Sequence, residues 1–129
     1  MLVKTFTPRM SEVVGGRHIR NDVLAIWSVE GFMGIQEIFS PDVWDSGLIM
    51  ANLNLDYISE IVWGKDVEVI TGVKNIGNTS FVLLQTFHQD THLCGRAMVT
   101  LLHYNYATHK PEIISQEIRH KLEEHMIKE

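Results

Sequence analysis

Between Val23 and Phe39 the chain carries apolar residues around most of a helical circumference: Val23, Leu24, Ile26, Trp27, Val29, Phe32, Met33, Ile35, Ile38 and Phe39. This exceeds the roughly 100° stripe of a helix that lies on a protein surface, so burial on several sides is expected. Such a helix needs something that surrounds it. Gly31 and Gly34 each cost roughly 1 kcal/mol relative to alanine in a helix, which points to close approach by a sheet or a partner helix. Just before the helix stands a polar, glycine-containing loop, Glu12 to Asn21. Asn21 or Asp22 can cap the helix, because a short polar side chain accepts hydrogen bonds from first-turn N–H groups. The free N–H groups and the positive end of the dipole then face the loop that carries Glu12 and His18. A carboxylate, an imidazole and N–H donors thus gather at one helix end; the plain alternative is a capped helix start with a solvated loop.

After the helix the period changes. Ser40-Pro-Asp stops it, residues 42–47 read as a connector with Trp44 tucked against the body, and from Met50 to Tyr57 apolar and polar residues alternate as in a half-buried strand. A second alternation covers Val67, Val69 and Val73. Gly77-Asn78 separates it from a third strand, Ser80 to His88, and a fourth follows from Leu93 to Tyr106. Val3 to Thr7 forms a first strand, ended by Pro8. Four strands in succession read as an antiparallel meander of long strands, suited to curl around the apolar helix. Ser115 caps a last, amphipathic helix in which Ile118, Leu122 and Met126 recur every four residues.

The length of 129 residues fits one domain over 1–129, with a single core. No segment approaches the roughly 20 apolar residues of a membrane span, and the N-terminus lacks the basic start and apolar core of a secretory signal, so a cytoplasmic location is expected. A net charge of −5 argues against a nucleic-acid partner. Cys94 is the only cysteine, which excludes an internal disulfide and a thiolate metal cluster. His88 and His92 have a spacing seen in metal sites, but they flank a hairpin turn and no third ligand is indicated, so no metal is expected.

Four stretches together resemble the hot-dog fold acyl-CoA thioesterases of the 4-hydroxybenzoyl-CoA thioesterase type. Residues 9–21, Arg-Met-Ser-Glu-Val-Val-Gly-Gly-Arg-His-Ile-Arg-Asn, are similar to that family's Arg-x-x-Asp-x-Asp-x-x-Gly-His-x-Asn-Asn loop. Residues 55–69 resemble its second strand and the following turn, and residues 73–81 and 97–111 its third and fifth strands. The resemblance implies an α+β hot-dog fold, a long antiparallel sheet wrapped around a central helix with a C-terminal helix. It also implies pairing of protomers into a dimer or dimer of dimers, each pocket built from the loop of one subunit and the helix of the other. The implied substrate is an acyl-CoA or acyl-carrier-protein thioester; no separate cofactor is expected, since coenzyme A enters as part of the substrate.

The same resemblance assigns roles. Aligned without gaps, Val14 falls on the family's reacting aspartate and Glu12 on the preceding one. With two extra residues in Gly15-Gly16-Arg17, Glu12 moves onto the reacting place. Thioester hydrolysis needs a carboxylate that attacks or deprotonates water, and N–H donors where the carbonyl oxygen becomes negative. Glu12 is therefore the expected base or nucleophile, His18 an orienting or polarising partner, and the Asn21 N–H an oxyanion donor. Glu30, inside the apolar helix, is a second candidate base if buried. Gly16, Arg17, Asp22, Trp27 and Arg96 are the expected substrate-binding residues. Arg17 and Arg96, with Lys65 and Lys74, suit the phosphates of coenzyme A. Trp27, Phe32, Met33, Trp44 and Met50 are candidates for an acyl pocket or for plain core. Val14 in the reacting place favours a second reading, a non-catalytic module that binds acyl thioesters. A third, hydration or dehydration of an acyl thioester, would pair Asp22 with His18.

Overall fold

The computed structural model describes residues 1–40 and 47–127; Trp44 lies outside them. Strand β1 (Leu2–Phe6) leads through a short helical turn into a small hairpin, β2 (Val13–Val14) with β3 (His18–Ile19). The helix follows as α1 (Asn21–Gly31) and α2 (Met33–Phe39), and then come β4 (Leu48–Tyr57), β5 (Val67–Ile76), β6 (Ser80–Gln89), β7 (His92–Asn105), β8 (Lys110–Pro111) and α3 (Gln116–Glu123). Apart from the β2–β3 hairpin, the strands form one antiparallel sheet in the order β1-β5-β6-β7-β4, with β8 on the end of β7. This is the α+β hot-dog arrangement, a curled sheet around a central bent helix. One detail of the strand reading changes. β5, β6 and β7 are a meander, but β4 pairs with β7 at the far edge. Residues 58–66 are therefore a crossing connection rather than a hairpin turn.

The concave face of the sheet is apolar at every second position, as a period of two requires. Val67, Val69 and Val73, then Phe81, Leu83 and Phe87, then Ala97, Val99 and Leu101 are buried against Val23, Leu24, Trp27 and Ile35 of the helix. Gln85 interrupts this set without opening it. Its amide nitrogen donates to the Ser28 carbonyl at 2.9 Å and to the Thr71 hydroxyl at 3.0 Å, and its oxygen accepts from the Ser28 hydroxyl. All three side chains are fully buried, and each buried polar atom of the amide finds a partner. Gly31 permits this approach, since a Cβ there would stand 3.0 Å from Val69 Cγ1 and 3.3 Å from Gln85 Nε2.

The helix bends at Phe32, whose N–H is shared between the Ser28 and Val29 carbonyls at 3.2 and 3.3 Å. A glycine on either side of Phe32 and Met33 lowers the cost of that break. The helix is buried on several sides, but one face stays open in the single chain: Ile26 is 51% exposed and Val29 40%, beside exposed Glu30. Ser115 caps α3 as expected, its hydroxyl accepting from Ile118 N at 3.2 Å. The helix ends before Met126, however. The Val73 N–H donates to the His125 carbonyl at 2.8 Å and the Ile127 N–H to the Val73 carbonyl at 2.9 Å, so the tail is drawn onto β5. No helix among the described residues is long and apolar enough to cross a membrane.

Candidate active site

The β2–β3 hairpin turns through Gly15–Arg17, with Gly16 and Arg17 both left-handed at φ +76° and +64°. Its second strand is also bridged on its other side by the crossing connection. The Ile19 N–H donates to the Ile61 carbonyl at 2.8 Å and the Trp63 N–H to the Arg17 carbonyl at 3.0 Å. Glu60 is thereby carried next to His18, and their side chains meet with Nδ1 to Oε2 at 2.8 Å. The Tyr57 hydroxyl, at the end of β4, donates to the Asn21 carbonyl at 2.9 Å and ties the strand to the start of α1.

These contacts enclose a cleft of about 260 Å³ lined by His18, Ile19, Asn21, Leu24, Tyr57, Ser59, Glu60 and Ile61. The cleft is apolar at its base, through Leu24 and Ile61, and polar at its mouth. His18 is 41% exposed on its side chain and Glu60 59%, so both meet solvent. Gly16 lies under the imidazole: a Cβ there would stand 2.8 Å from His18 Cδ2 and 3.0 Å from Nε2. Nε2 itself has no partner among the described residues, and neither has the Asn21 N–H at the first position of the helix. Both His18 and Asn21 line the one cleft.

Of the residues singled out in the sequence, His18, Asn21 and Gly16 come together here. Glu12 goes elsewhere. Its Oε1 accepts from the Arg9 N–H at 2.7 Å, its carbonyl accepts from Arg20 N at 2.9 Å, and it lines a second hollow of about 560 Å³ with Arg9, Ile26, Trp27 and Glu30. Glu30 is exposed rather than buried, because it projects from the open face of α1, so the burial that would have made it a base is absent. Trp27 is buried, with its ring stacked on Phe6 at 5.6 Å.

Asp22 does not cap α1, and neither does Asn21. Arg20 occupies the cap position, where no side chain accepts from the first turn. Asp22 instead takes a hydrogen bond from Arg20 Nε at 3.0 Å, which holds its carboxyl below the usual range and raises the guanidinium. Arg20 has a second use for its side chain, donating from Nη1 to the Ser11 carbonyl at 2.6 Å. Arg17 and Arg96 are exposed and line neither hollow; Arg96 sits on β7 opposite Asp56 and Thr86. A larger hollow, about 720 Å³, lies at the β5–β6 end of the sheet around the Lys65–Asp90 pair and is lined by neither His18 nor the helix start. Among the described residues no group of three His, Cys, Asp or Glu side chains could hold a metal ion.

Glu60, Tyr57 and Ser59 were not singled out from the sequence. The available signal was the point where alternation stops after Tyr57 while polar side chains continue, with apolar Ile61-Val62-Trp63 directly behind them. That pattern marks a connection pinned to the body. What it is pinned against depends on β4 leaving its neighbour in sequence for the far edge of the sheet.

Residues 17–122 match the model of the thioesterase-like superfamily. Among solved structures, a predicted thioesterase from Bacillus stearothermophilus is 32% identical, with 99% of this chain and 98% of that chain covered and a TM-score of 0.94. A Thermus thermophilus thioesterase complexed with coenzyme A and zinc is 16% identical over 94% of this chain and 96% of that one, at a TM-score of 0.86. A Staphylococcus aureus protein in complex with CoA is 12% identical over 98% and 86%, at 0.85. No curated protein sequence matches.

Proposed function

Because the chain belongs to the thioesterase-like superfamily, we propose that it hydrolyses an acyl-CoA or acyl-carrier-protein thioester to a free acid and a thiol. The observation that carries this reading is the cleft lined by His18 and Asn21 at the start of α1, whose Nε2 and N–H have no partner among the described residues. His18 Nε2 takes a proton from water, and the water oxygen bonds to the thioester carbon. The carbonyl electrons move to its oxygen, which accepts from the Asn21 N–H aided by the helix dipole. Collapse breaks the carbon–sulfur bond, and the thiolate takes back the proton from Nε2. Leu24 and Ile61 give the cleft an apolar base for the acyl group. The coenzyme A bound by the Thermus and Staphylococcus proteins supports CoA as the thiol portion.

Two protomers complete the molecule in this reading. The open face of α1 with Ile26 and Val29, and a β4 that pairs only with β7 among the described residues, are surfaces that need covering. A partner seated there brings the hollow with Glu12, Trp27 and Glu30 into the shared site and makes those carboxylates the alternative bases. Sedimentation as a dimer or tetramer is expected; a monomer would sink the shared site.

The test is thiol release from a panel of acyl-CoA substrates, short to long and aromatic, with His18→Ala, Glu12→Ala and Glu30→Ala beside the wild type. His18→Ala is expected to lose about 10²-fold or more in kcat. The largest loss in Glu12→Ala instead would transfer the base role to that carboxylate. Val14, in the place of the reacting aspartate of the resembling loop, favours the second reading, a binder of acyl thioesters. Saturable acyl-CoA binding without turnover of any substrate would establish that one.

A further inference from the structure

The connection that carries Glu60 is held more firmly than an exposed surface loop requires. The Ile58 and Ser59 N–H groups both donate to the Cys94 carbonyl, at 2.9 and 3.0 Å. On the other side of Glu60, the Val62 N–H donates to Gln89 Oε1 at 3.1 Å, and Gln89 Nε2 donates back to the Val62 and Lys65 carbonyls at 2.9 and 3.2 Å. Gln89 is 6% exposed, so a buried amide spends its hydrogen-bonding capacity on this one connection. Residues flanking Glu60 are therefore fixed to β6 and β7, while Ile61 is also bonded to Ile19, the neighbour of His18.

An exposed pair of this kind contributes little to folding stability. Its geometry acts on the imidazole instead. At 2.8 Å a proton lies between Nδ1 and Oε2, and with the carboxylate ionised that proton sits on Nδ1. The neutral ring is then obliged to present Nε2 as its unprotonated nitrogen. Gly16 leaves room for the ring in this pose, whereas any Cβ there would meet Cδ2 and Nε2.

We infer that Glu60 is the positioning carboxylate of the site: it fixes the tautomer and orientation of His18, leaving Nε2 as the base, and Gln89 holds the connection that presents it. The inference rests on the hydrolysis reading above for its catalytic meaning, while the tautomer is a property of the protein itself. Glu60 stays an anion throughout, and the proton gained by Nε2 from water is returned to the departing thiolate.

The experiment uses the full chain with Glu60→Ala and Glu60→Gln. It measures kcat and KM for thiol release, and ¹⁵N spectra of labelled histidine at a pH where the imidazoles are neutral, with the His18 signals identified by their loss in His18→Ala. Glu60→Ala is expected to lower kcat about 10- to 100-fold with KM within about threefold, and to shift His18 from the Nδ1–H to the Nε2–H tautomer. Glu60→Gln recovers part of kcat and keeps the tautomer, because its amide oxygen still accepts from Nδ1. Wild-type kcat in Glu60→Ala overturns the catalytic part, and an unchanged His18 tautomer overturns the positioning itself. If the wild type releases no thiol from any substrate, the hydrolysis reading fails, and the tautomer alone decides the role of Glu60.

Discussion

The middle of α1 and its start lie two turns apart, about 10 Å along one helix, and each is tied to its surroundings by polar side chains. In the middle, Ser28, Thr71 and Gln85 are sealed from water and satisfy one another. At the start, His18 and Glu60 meet at a similar distance but stand 41% and 59% exposed. Burial decides what such a contact is for. A dry amide cannot exchange its partners for water, so removing it leaves orphaned groups and costs stability. A wet imidazole can exchange its partners at little cost, and that freedom is what a base needs when it meets a substrate. The core end of the helix is sealed; the end beside His18 is open to solvent.

The most severe way to break this contrast is Gln85→Leu. The substitution fills the same space but strands the Ser28 hydroxyl in the core and leaves the Thr71 hydroxyl only its 3.4 Å hydrogen bond to the Gly31 carbonyl. A loss of about 2–4 kcal/mol is expected, read as a lower denaturation midpoint in urea, with thiol release per folded molecule kept. A loss below about 0.5 kcal/mol would show that the buried bracket is not a stability device. Gly16→Ala tests the opposite end. Its left-handed φ of +76° makes alanine cost about 1 kcal/mol in stability. The added Cβ also displaces the imidazole from Glu60, so kcat should fall on the order of tenfold. If activity falls only in proportion to the folded fraction, His18 does not need its seat on Gly16.

The two ends also differ in how far they could be read from the chain. The apolar helix and the alternation of Val67, Val69 and Val73, or of Phe81, Leu83 and Phe87, are local patterns, so the wrapped helix and the strands were legible. His18, Asn21 and Gly16 lie within six residues of each other and were singled out together. Glu60 was not, because its meeting with His18 is made by a strand that leaves its sequence neighbour for the other edge of the sheet, and no local period encodes that. Glu12 shows the converse. It is near His18 in sequence, but a hydrogen bond from the Arg9 N–H turns its carboxylate into the other hollow. Sequence proximity found the imidazole and put Glu12 beside it; the carboxylate that meets Nδ1 in the fold is Glu60.

A smaller effect sharpens the contrast from the site side. Glu60→Gln should change the urea midpoint by the equivalent of less than about 0.5 kcal/mol, since an exposed polar pair contributes little against solvent. A much larger loss would mean that the connection, rather than the chemistry, depends on Glu60.

The smallest effect concerns a third polar group, His125, which has neither arrangement. Its Nδ1 is buried without a partner among the described residues. Burial, reinforced by the Met1 amino group, pushes the imidazole below its ordinary 6.5, with Glu124 opposing. The unfolded chain therefore binds this proton more readily than the folded one. As pH falls below about 6.5 the unfolded state gains protons first, so stability declines through that window and is flat above it. Because His125 anchors the tail through its carbonyl to Val73, the strain falls on a segment remote from the cleft. Thermal unfolding between about pH 7.5 and 5.5 should show a slightly shallower decline in His125→Gln than in the wild type. Equal slopes would mean that the ring finds water as the protein breathes, which would place it with His18 as a solvent-exchanging group rather than with Gln85 as a sealed one.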